Sequence, residues 1–143
     1  MIRAVFDTNA LASGAIAIAG PVAALIDAWH RGEVEIVVSM HILGELDRAL
    51  SNAYFVARLD ADTRDAFITL ARTTTVVAIT APIPSVASTE GDNLVLATAE
   101  SAGVPYLVTG DAELLRIGQY KGTVILSPRQ LHDLLATGAS GTN

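Results

Sequence analysis

The chain contains no cysteine, which excludes a disulfide framework, a thiolate zinc site and a cysteine nucleophile. It also lacks any apolar run near the roughly 20 residues that a membrane-crossing helix needs. The most apolar stretch, residues 15–26, is interrupted by Gly20 and Pro21. No basic region followed by an apolar segment opens the sequence, so we expect no signal peptide, no membrane association and a cytoplasmic protein.

Positive charge is scarce, with nine Lys and Arg against 15 Asp and Glu and a net charge of −6 at pH 7. This balance argues against a domain that coats nucleic acid by bulk electrostatics. It leaves open an enzyme that reaches phosphate through metal ions, because a bound cation inverts the local field. All basic residues except Lys121 are arginine, which suits bidentate phosphate contact or an interface.

Apolar residues are abundant, at 51% of a 143-residue chain with a mean hydropathy of +0.45. Short apolar runs predict strands at 2–6, 33–38, 74–79, 104–108 and 123–126. Helices are predicted at 21–32, 39–50, 52–59, 60–73, 93–102, 112–115 and 128–135, with residues 14–20 as a loop or short helical turn. This alternation predicts a single three-layer α/β domain over residues 1–135, with a parallel sheet of about five strands and helices on both faces. Residues 136–143 are small and polar and are predicted to form a disordered tail.

The first predicted strand ends abruptly at Asp7, and two further polar residues, Thr8 and Asn9, follow it. In open α/β sheets, ligands bind just beyond the carboxyl ends of the strands. Asp7 therefore lies where a functional site is expected. Taken alone, it is explained equally well as the N-cap of a following helix.

Three other acids invite both a functional and an ordinary interpretation. Glu45 borders the apolar stripe of its predicted helix, and an acid at the flank of a helix needs no functional explanation. Asp92 is in the first turn of its predicted helix, where the helix dipole favours an acid. It also lies on the same helix face as apolar side chains, and this face is directed toward the sheet. A charge buried there is costly unless it is paired or metal-bound. Asp111 follows the fourth strand and could cap the next helix.

The joint pattern is more specific than any single acid. Asp7 and Asp111 both follow strands, and Asp92 opens a helix leading into one of those strands, so parallel neighbouring strands would bring these acids together. Clustered carboxylates without His or Cys favour Mg²⁺ or Mn²⁺ over zinc. One or two such metals can promote displacement at phosphorus. Neutral side chains can orient the acids or water, namely Thr8, Asn9 and Thr109, whereas the three histidines, His30, His41 and His132, are interpreted as structural or surface residues.

At these residues the chain resembles the PIN domain family. The match consists of Asp7-Thr8-Asn9 after the first strand, Glu45 on the helix after the second, Asp92 in Gly-Asp-Asn-Leu, and Thr109-Gly110-Asp111 after Tyr-Leu-Val. It covers residues 2–135. The chain is most similar to the toxin components of bacterial toxin–antitoxin pairs, through Leu-Val-Thr-Gly-Asp and a closing Ser-Pro-Arg segment.

The resemblance implies a Mg²⁺- or Mn²⁺-dependent endoribonuclease that forms a homodimer and is silenced by a small antitoxin protein. It also implies that the catalytic, metal-binding acids are Asp7, Glu45, Asp92 and Asp111, supported by Thr8, Asn9 and Thr109. Related sequences often carry a further acid where this chain has Thr89, so the number of metal ions stays open.

Two alternatives remain from the sequence. The first is a binding module that kept the fold and lost catalysis. The second is a phosphoryl-accepting domain of the receiver or phosphatase type, since an Asp after the first strand also serves as a phosphate acceptor. A phosphatase of the haloacid dehalogenase type would have a second Asp at Asn9, and a receiver would have a Lys near the last strand, where Lys121 is a loose candidate.

Overall fold

Six strands form one sheet in the computed structural model, which describes residues 1–137. They are β1 (Ile2–Phe6), β2 (Val34–Ser39), β3 (Thr75–Val77), β4 (Tyr106–Val108), β5 (Gln119–Tyr120) and β6 (Thr123–Leu126). The order across the sheet is β3-β2-β1-β4-β6-β5, and every neighbouring pair is parallel except β5 and β6. The chain builds outward from β1 on both sides, so the strand order reverses between β1 and β4. Open α/β sheets bind ligands at such a reversal.

Eight helices connect and cover these strands within residues 1–137. They are α1 (Thr8–Ile16), α2 (Pro21–His30), α3 (Met40–Leu50), α4 (Ala53–Val56), α5 (Ala61–Thr73), α6 (Glu90–Ala102), α7 (Ala112–Ile117) and α8 (Pro128–Ala136). The predicted α/β fold with a largely parallel sheet is confirmed. The sheet has one strand more than expected, and the predicted boundaries of most elements shift by a few residues.

The central strands are buried on both faces. Consecutive residues of a strand point to opposite faces of the sheet. In β1 the residues Ala4, Val5 and Phe6 are all fully buried, as are the consecutive residues 36–38 of β2. The continuous apolar runs that predicted these strands therefore correspond to a sheet enclosed between helical layers. Trp29, at the end of α2, belongs to this core and packs edge-on against Phe67 of α5 at 6.1 Å.

The expectation of a loop or short turn at residues 14–20 is wrong for its first part, because α1 extends through Ile16. Asp7 caps this helix by accepting a hydrogen bond from the backbone N–H of Ala10 at 2.8 Å. The buried side of α1 includes Ala10, Ala12 and Gly14, and small residues of this kind give little contrast between an apolar and a polar face. A periodicity search therefore has little to detect there.

The antiparallel strand β5 was also not predicted. It pairs with β6 through a two-residue connection, Lys121-Gly122, in which both residues have positive φ, of 50° and 84°. Two positive φ values in succession are typical of the tight hairpin turns that suit twisted strands. At the other end of the chain, α8 continues through Ala136 and Thr137 is its C-cap. The remainder of the predicted disordered tail, residues 138–143, lies outside the described residues.

No single helix within residues 1–137 is long and apolar enough to cross a membrane. In this described part of the chain, only α1 and α2 taken together reach the required length and hydropathy, and these two helices are bent by 89° at the break between them. Both contribute buried side chains to the core, among them Leu11 and Leu25.

The close contact of α1 with α2 at Gly14 predicts that Gly14→Ala destabilises the protein. A Cβ atom at Gly14 would lie 2.7 Å from Cγ1 and 2.8 Å from Cδ1 of Ile26, well inside van der Waals contact. Ile26 is buried, and a β-branched side chain in a helix has one strongly preferred χ1 rotamer, so it cannot easily turn away. Overpacking of this kind costs about 1–3 kcal/mol, more than the gain in helix propensity of about 1 kcal/mol. Urea denaturation measures the difference.

Gly44→Ala is the matched control. Gly44 also lies within a helix, α3, but the nearest atom to its added Cβ would be a terminal nitrogen of Arg48 at 3.9 Å. This substitution should stabilise the protein by up to about 1 kcal/mol. If Gly14→Ala were as stabilising as Gly44→Ala, the tight packing of α1 on α2 would be contradicted.

Candidate active site

The carboxylate of Asp7 lies at the carboxyl end of β1 and is held from two sides. Oδ1 accepts the capping hydrogen bond from Ala10, and Oδ2 accepts a hydrogen bond of 2.5 Å from the hydroxyl of Thr109. Thr109 follows β4, which runs parallel beside β1 with Phe6 opposite Val108. The first and fourth predicted strands are therefore parallel neighbours, which is the condition under which the sequence placed their following acids together. Asp7 is only 5% exposed, and Thr109 is fully buried.

Thr109 also connects Asp7 to Asp111. The Thr109 hydroxyl oxygen accepts a hydrogen bond from the backbone N–H of Asp111 at 2.9 Å while it donates to Asp7. Oδ2 of Asp111 in turn caps α7 by accepting from Leu114 N at 3.0 Å. Both N-cap interpretations are thus correct. Within residues 1–137, capping uses only one carboxylate oxygen of Asp111, so the other keeps its lone pairs for a ligand.

A third acid, Glu113, joins Asp92 and Asp111. Each of these three side chains offers one carboxylate oxygen, and the three oxygens lie within 4.8 Å of one another. Glu113 was not predicted as a site residue, although its place in the first turn of α7, two residues after Asp111, could have drawn attention to it. Its carboxylate accepts hydrogen bonds from Ser88 N at 3.1 Å and Ser88 Oγ at 2.9 Å.

A cleft of about 410 Å³ opens beside Asp7. Five of the seven predicted site residues line it, namely Asp7, Thr8, Asn9, Glu45 and Asp92. Asp111 instead lines a second cavity of about 460 Å³, which shares Asn9 with the first. The structure thus gathers most of the predicted set in one cleft, while Asp111 lines the neighbouring cavity and Thr109 is buried at the end of β4.

Helix α3 presents one polar face to the cleft. His41, Glu45 and Arg48 follow one another at intervals of four and three residues, which places them on the same side of a helix, and all three line the cleft. The opposite face carries the buried stripe Ile42, Leu43, Leu46 and Leu50, as the sequence predicted. Glu45 forms an ion pair with Arg48, Nη2 to Oε2, at 2.7 Å. His41, interpreted from the sequence as a structural or surface residue, borders the same cleft.

The loop between β3 and α6 is held by side-chain hydrogen bonds at two points near the acids. The buried side chain of Asn93 accepts a hydrogen bond from Ala87 N at 2.9 Å and donates one to Ala87 O at 3.1 Å. The next loop residue, Ser88, is held by Glu113. Thr89 caps α6 by accepting a hydrogen bond from Asp92 N at 3.2 Å.

Burial and mutual repulsion raise the pKa of two of these acids. For Asp7, burial is the largest cause, with the negative charges of Asp92 and Asp111 adding to it and the hydrogen bonds from Thr109 and Ala10 opposing it. For Asp92, burial again raises the pKa most, followed by the charges of Asp111 and Glu113, against a hydrogen bond with Thr89. Carboxylates that are hard to ionise together form a site where a cation or protons are favoured.

Comparison with known proteins identifies a family and finds similar solved structures. A PIN domain family model matches residues 3–113. No curated protein matches the chain. Among solved structures, the chain is similar to a chain in the crystal structure of VapBC2 from Rickettsia felis bound to a DNA fragment from their promoter. The two share 12% sequence identity with a TM-score of 0.60, over 88% of this chain and 98% of that chain, a likeness that concerns the fold.

The family match spans most of the chain and includes β1, α3, α6, β4 and the acids at positions 7, 45, 92 and 111. It agrees with the strand order and with the resemblance seen in the sequence. The chain belongs to the PIN domain family.

Proposed function

We propose that this PIN domain is a Mg²⁺- or Mn²⁺-dependent endoribonuclease, the toxin of a toxin–antitoxin pair. The observation that carries the proposal is the position of Asp7, a buried carboxylate at the end of the central strand where the strand order reverses. Asp7 and Asp92 line one cleft, and the raised pKa values of both follow in part from the charge of Asp111.

The donor set fits a hard divalent cation. All the acids concerned offer oxygen, whereas zinc sites usually include histidine or cysteine. The residues that would hold metal are Asp7, Glu45, Asp92 and Asp111, with Glu113 beside the last two. A bound Mg²⁺ or Mn²⁺ would supply Lewis acidity at the scissile phosphate and acidify the attacking water.

The supporting residues hold the acids in place before any ligand arrives. Asp7 is fixed at both oxygens, by Ala10 and Thr109, and Asp111 is fixed by Leu114 at the start of α7. Fixed carboxylates lose little freedom when a cation binds, which favours an ordered site. Thr8 and Asn9, at the start of α1, line the cleft where neutral donors can orient water or substrate.

The partner in this proposal is a small antitoxin protein. It is supported by the family and by the shared fold with a chain of VapBC2, a complex bound to promoter DNA. We also propose a homodimer in which arginines of two copies form a basic groove. A chain of net charge −6 offers RNA little attraction by itself, so clustered arginines would have to supply it.

The decisive experiment is cleavage of single-stranded RNA by the purified protein. Cleavage should require Mg²⁺ or Mn²⁺ and stop in excess EDTA, because carboxylates alone cannot stabilise charge on phosphate. Asp7→Asn and Asp92→Asn should each reduce the rate by about 100-fold or more while the protein stays folded by circular dichroism, because each removes a charged ligand at nearly constant size.

Asp62→Asn is the control for these variants, since it removes the same charge from the exposed first turn of α5. Its cleavage rate should match the wild type. Undiminished cleavage in EDTA would contradict the metal mechanism, and normal turnover by Asp7→Asn would contradict the residue assignment. A wild-type protein that binds RNA without cutting it would favour the inactive binding module.

Stability of the metal-free protein should increase as pH falls from about 7.5 to about 5. The pKa values of Asp7 and Asp92 are raised above 3.8, the usual value for aspartate, so the folded state binds more protons than the unfolded chain between that value and the raised ones. Each pKa unit of difference corresponds to about 1.4 kcal/mol. The acids with lowered pKa, Glu33, Glu35 and Asp60, oppose this trend mainly near and below their unfolded values of 4.5 and 3.8. Thermal melting across this pH range measures the effect.

Asp7→Asn should flatten this pH dependence, whereas Asp62→Asn should leave it unchanged. Mg²⁺ should stabilise the wild type by roughly 1 kcal/mol at about five times its dissociation constant, and by less at about pH 5, where protons compete with the metal. A metal-free wild type that melts lower at pH 5 than at pH 7.5 would show that the carboxylates are not packed together as described.

The proposed dimer predicts a particle of about 30 kDa, twice the 14.9 kDa of the chain. Light scattering with size-exclusion chromatography at tens of micromolar measures the mass. A value near that of one chain would contradict the homodimer without affecting the metal site.

A further inference from the structure

Arg48 stands at the border of the acidic cleft. It lines the same cleft as Asp7, Glu45 and Asp92, while 70% of its side chain is exposed to solvent. Its backbone belongs to α3, a well-packed helix, so the position of the residue is fixed even though its guanidinium is accessible. A ligand entering the cleft would therefore meet this side chain.

Arg48 provides the positive charge at this acidic cleft. Among the described residues that line the cleft, Arg48 alone carries a permanent positive charge, and the charged residues beside it are acids. Metal ions at the acids would attract the scissile phosphate, but the neighbouring phosphates of the RNA would still approach negatively charged side chains. A guanidinium beside the acids offsets that repulsion and matches a phosphate group with two parallel N–H donors.

The contact between Arg48 and Glu45 leaves most of the guanidinium free. Within residues 1–137, only Nη2 donates, to Oε2 of Glu45, whereas Arg31 uses both Nε and Nη2 on Glu33 at 3.0 Å each. A guanidinium has five N–H donors. The Glu45 contact therefore holds Arg48 beside the cleft without using up its capacity to bind. An exposed ion pair of this kind contributes little to stability, so its rearrangement is easy.

We propose that Arg48 is a substrate-binding residue that contacts the non-bridging oxygens of an RNA phosphate next to the scissile bond. This inference rests on the proposed function and adds to it a residue outside the metal-binding acids. Arg48 acts on the bound strand by charge and hydrogen bonding and takes no part in bond breaking.

The test measures initial rates of cleavage of a fluorescein-labelled, mixed-sequence single-stranded RNA in Mg²⁺ at several KCl concentrations. Arg48→Gln should raise KM by about fivefold to tenfold with little change in kcat, because one charged contact is lost. It should also reduce the slope of log(kcat/KM) against log[KCl] by about 0.7, the value for one phosphate contact on a single strand. Arg48→Lys should keep the wild-type slope and recover part of the loss in KM.

Arg31→Gln is the matched control, since it removes the same charge from an exposed arginine that is paired with Glu33 away from the cleft. It should leave both KM and the salt slope unchanged. If Arg48 served only to position Glu45, Arg48→Gln would shift the Mg²⁺ concentration for half-maximal rate and leave the salt slope intact, which would overturn the inference.

Fluorescence anisotropy with the same RNA in EDTA separates this inference from the proposed function. If the wild type cleaves RNA and the Arg48→Gln variant has a normal KM and salt slope, only the inference is overturned. Wild-type protein that neither cleaves nor binds the RNA overturns both. If the wild type binds without cleaving, weaker binding by Arg48→Gln supports the inference, and equal binding overturns it.

Discussion

The hydrogen bond from the Thr109 hydroxyl to Asp7 is the interaction on which the candidate site depends. It joins the ends of β1 and β4, from residues 102 positions apart in the chain, at the point where the strand order reverses. A buried carboxylate is costly without partners, and Thr109 together with the start of α1 supplies them. Because Thr109 also receives the N–H of Asp111, one hydroxyl sets both the orientation of the central acid and the start of α7. The positions of the acids are therefore fixed by the pairing of the strands.

Much of the fold could be predicted because the central strands are buried on both faces and appear as continuous apolar runs. The approach of Asp7 to the residues after β4 was expected only on the condition that their strands are parallel neighbours, because the carboxyl ends of such strands lie at the same edge. Asp7 was considered as the N-cap of a following helix, but the extent of α1 was not predicted because its buried side contains small residues. Strand β5 was not predicted because two residues are too few for a pattern. These elements depend on a cap and on a turn conformation, which apolar periodicity does not report.

The finer arrangement of the site was less accessible from the sequence. Asp7 follows its strand directly, but two residues separate β4 from Asp111, which lines the second cavity while a carboxylate oxygen of Asp111 lies within 4.8 Å of one of Asp92. The carboxylate of Glu113 is held by Ser88, which lies in an irregular loop 25 residues earlier in the chain. Irregular loops have no sequence periodicity from which this contact could be predicted. The Glu45–Arg48 pair, by contrast, follows from a spacing of three residues on one helix, so attention to charge spacing alone would have found it.

The two outermost strands of the sheet have a further consequence for how this protein meets other molecules. β3 has three residues and β5 has two, so each border of the sheet presents only a short row of unpaired backbone groups. Long, flat borders recruit extra strands from other chains and lead to aggregation, and natural proteins avoid this by keeping their borders short. Extension of the sheet from one copy into the next is therefore disfavoured. Recognition of any other protein falls to the side chains of the helices and loops, where shape and charge, and not backbone pairing, determine which surfaces fit together.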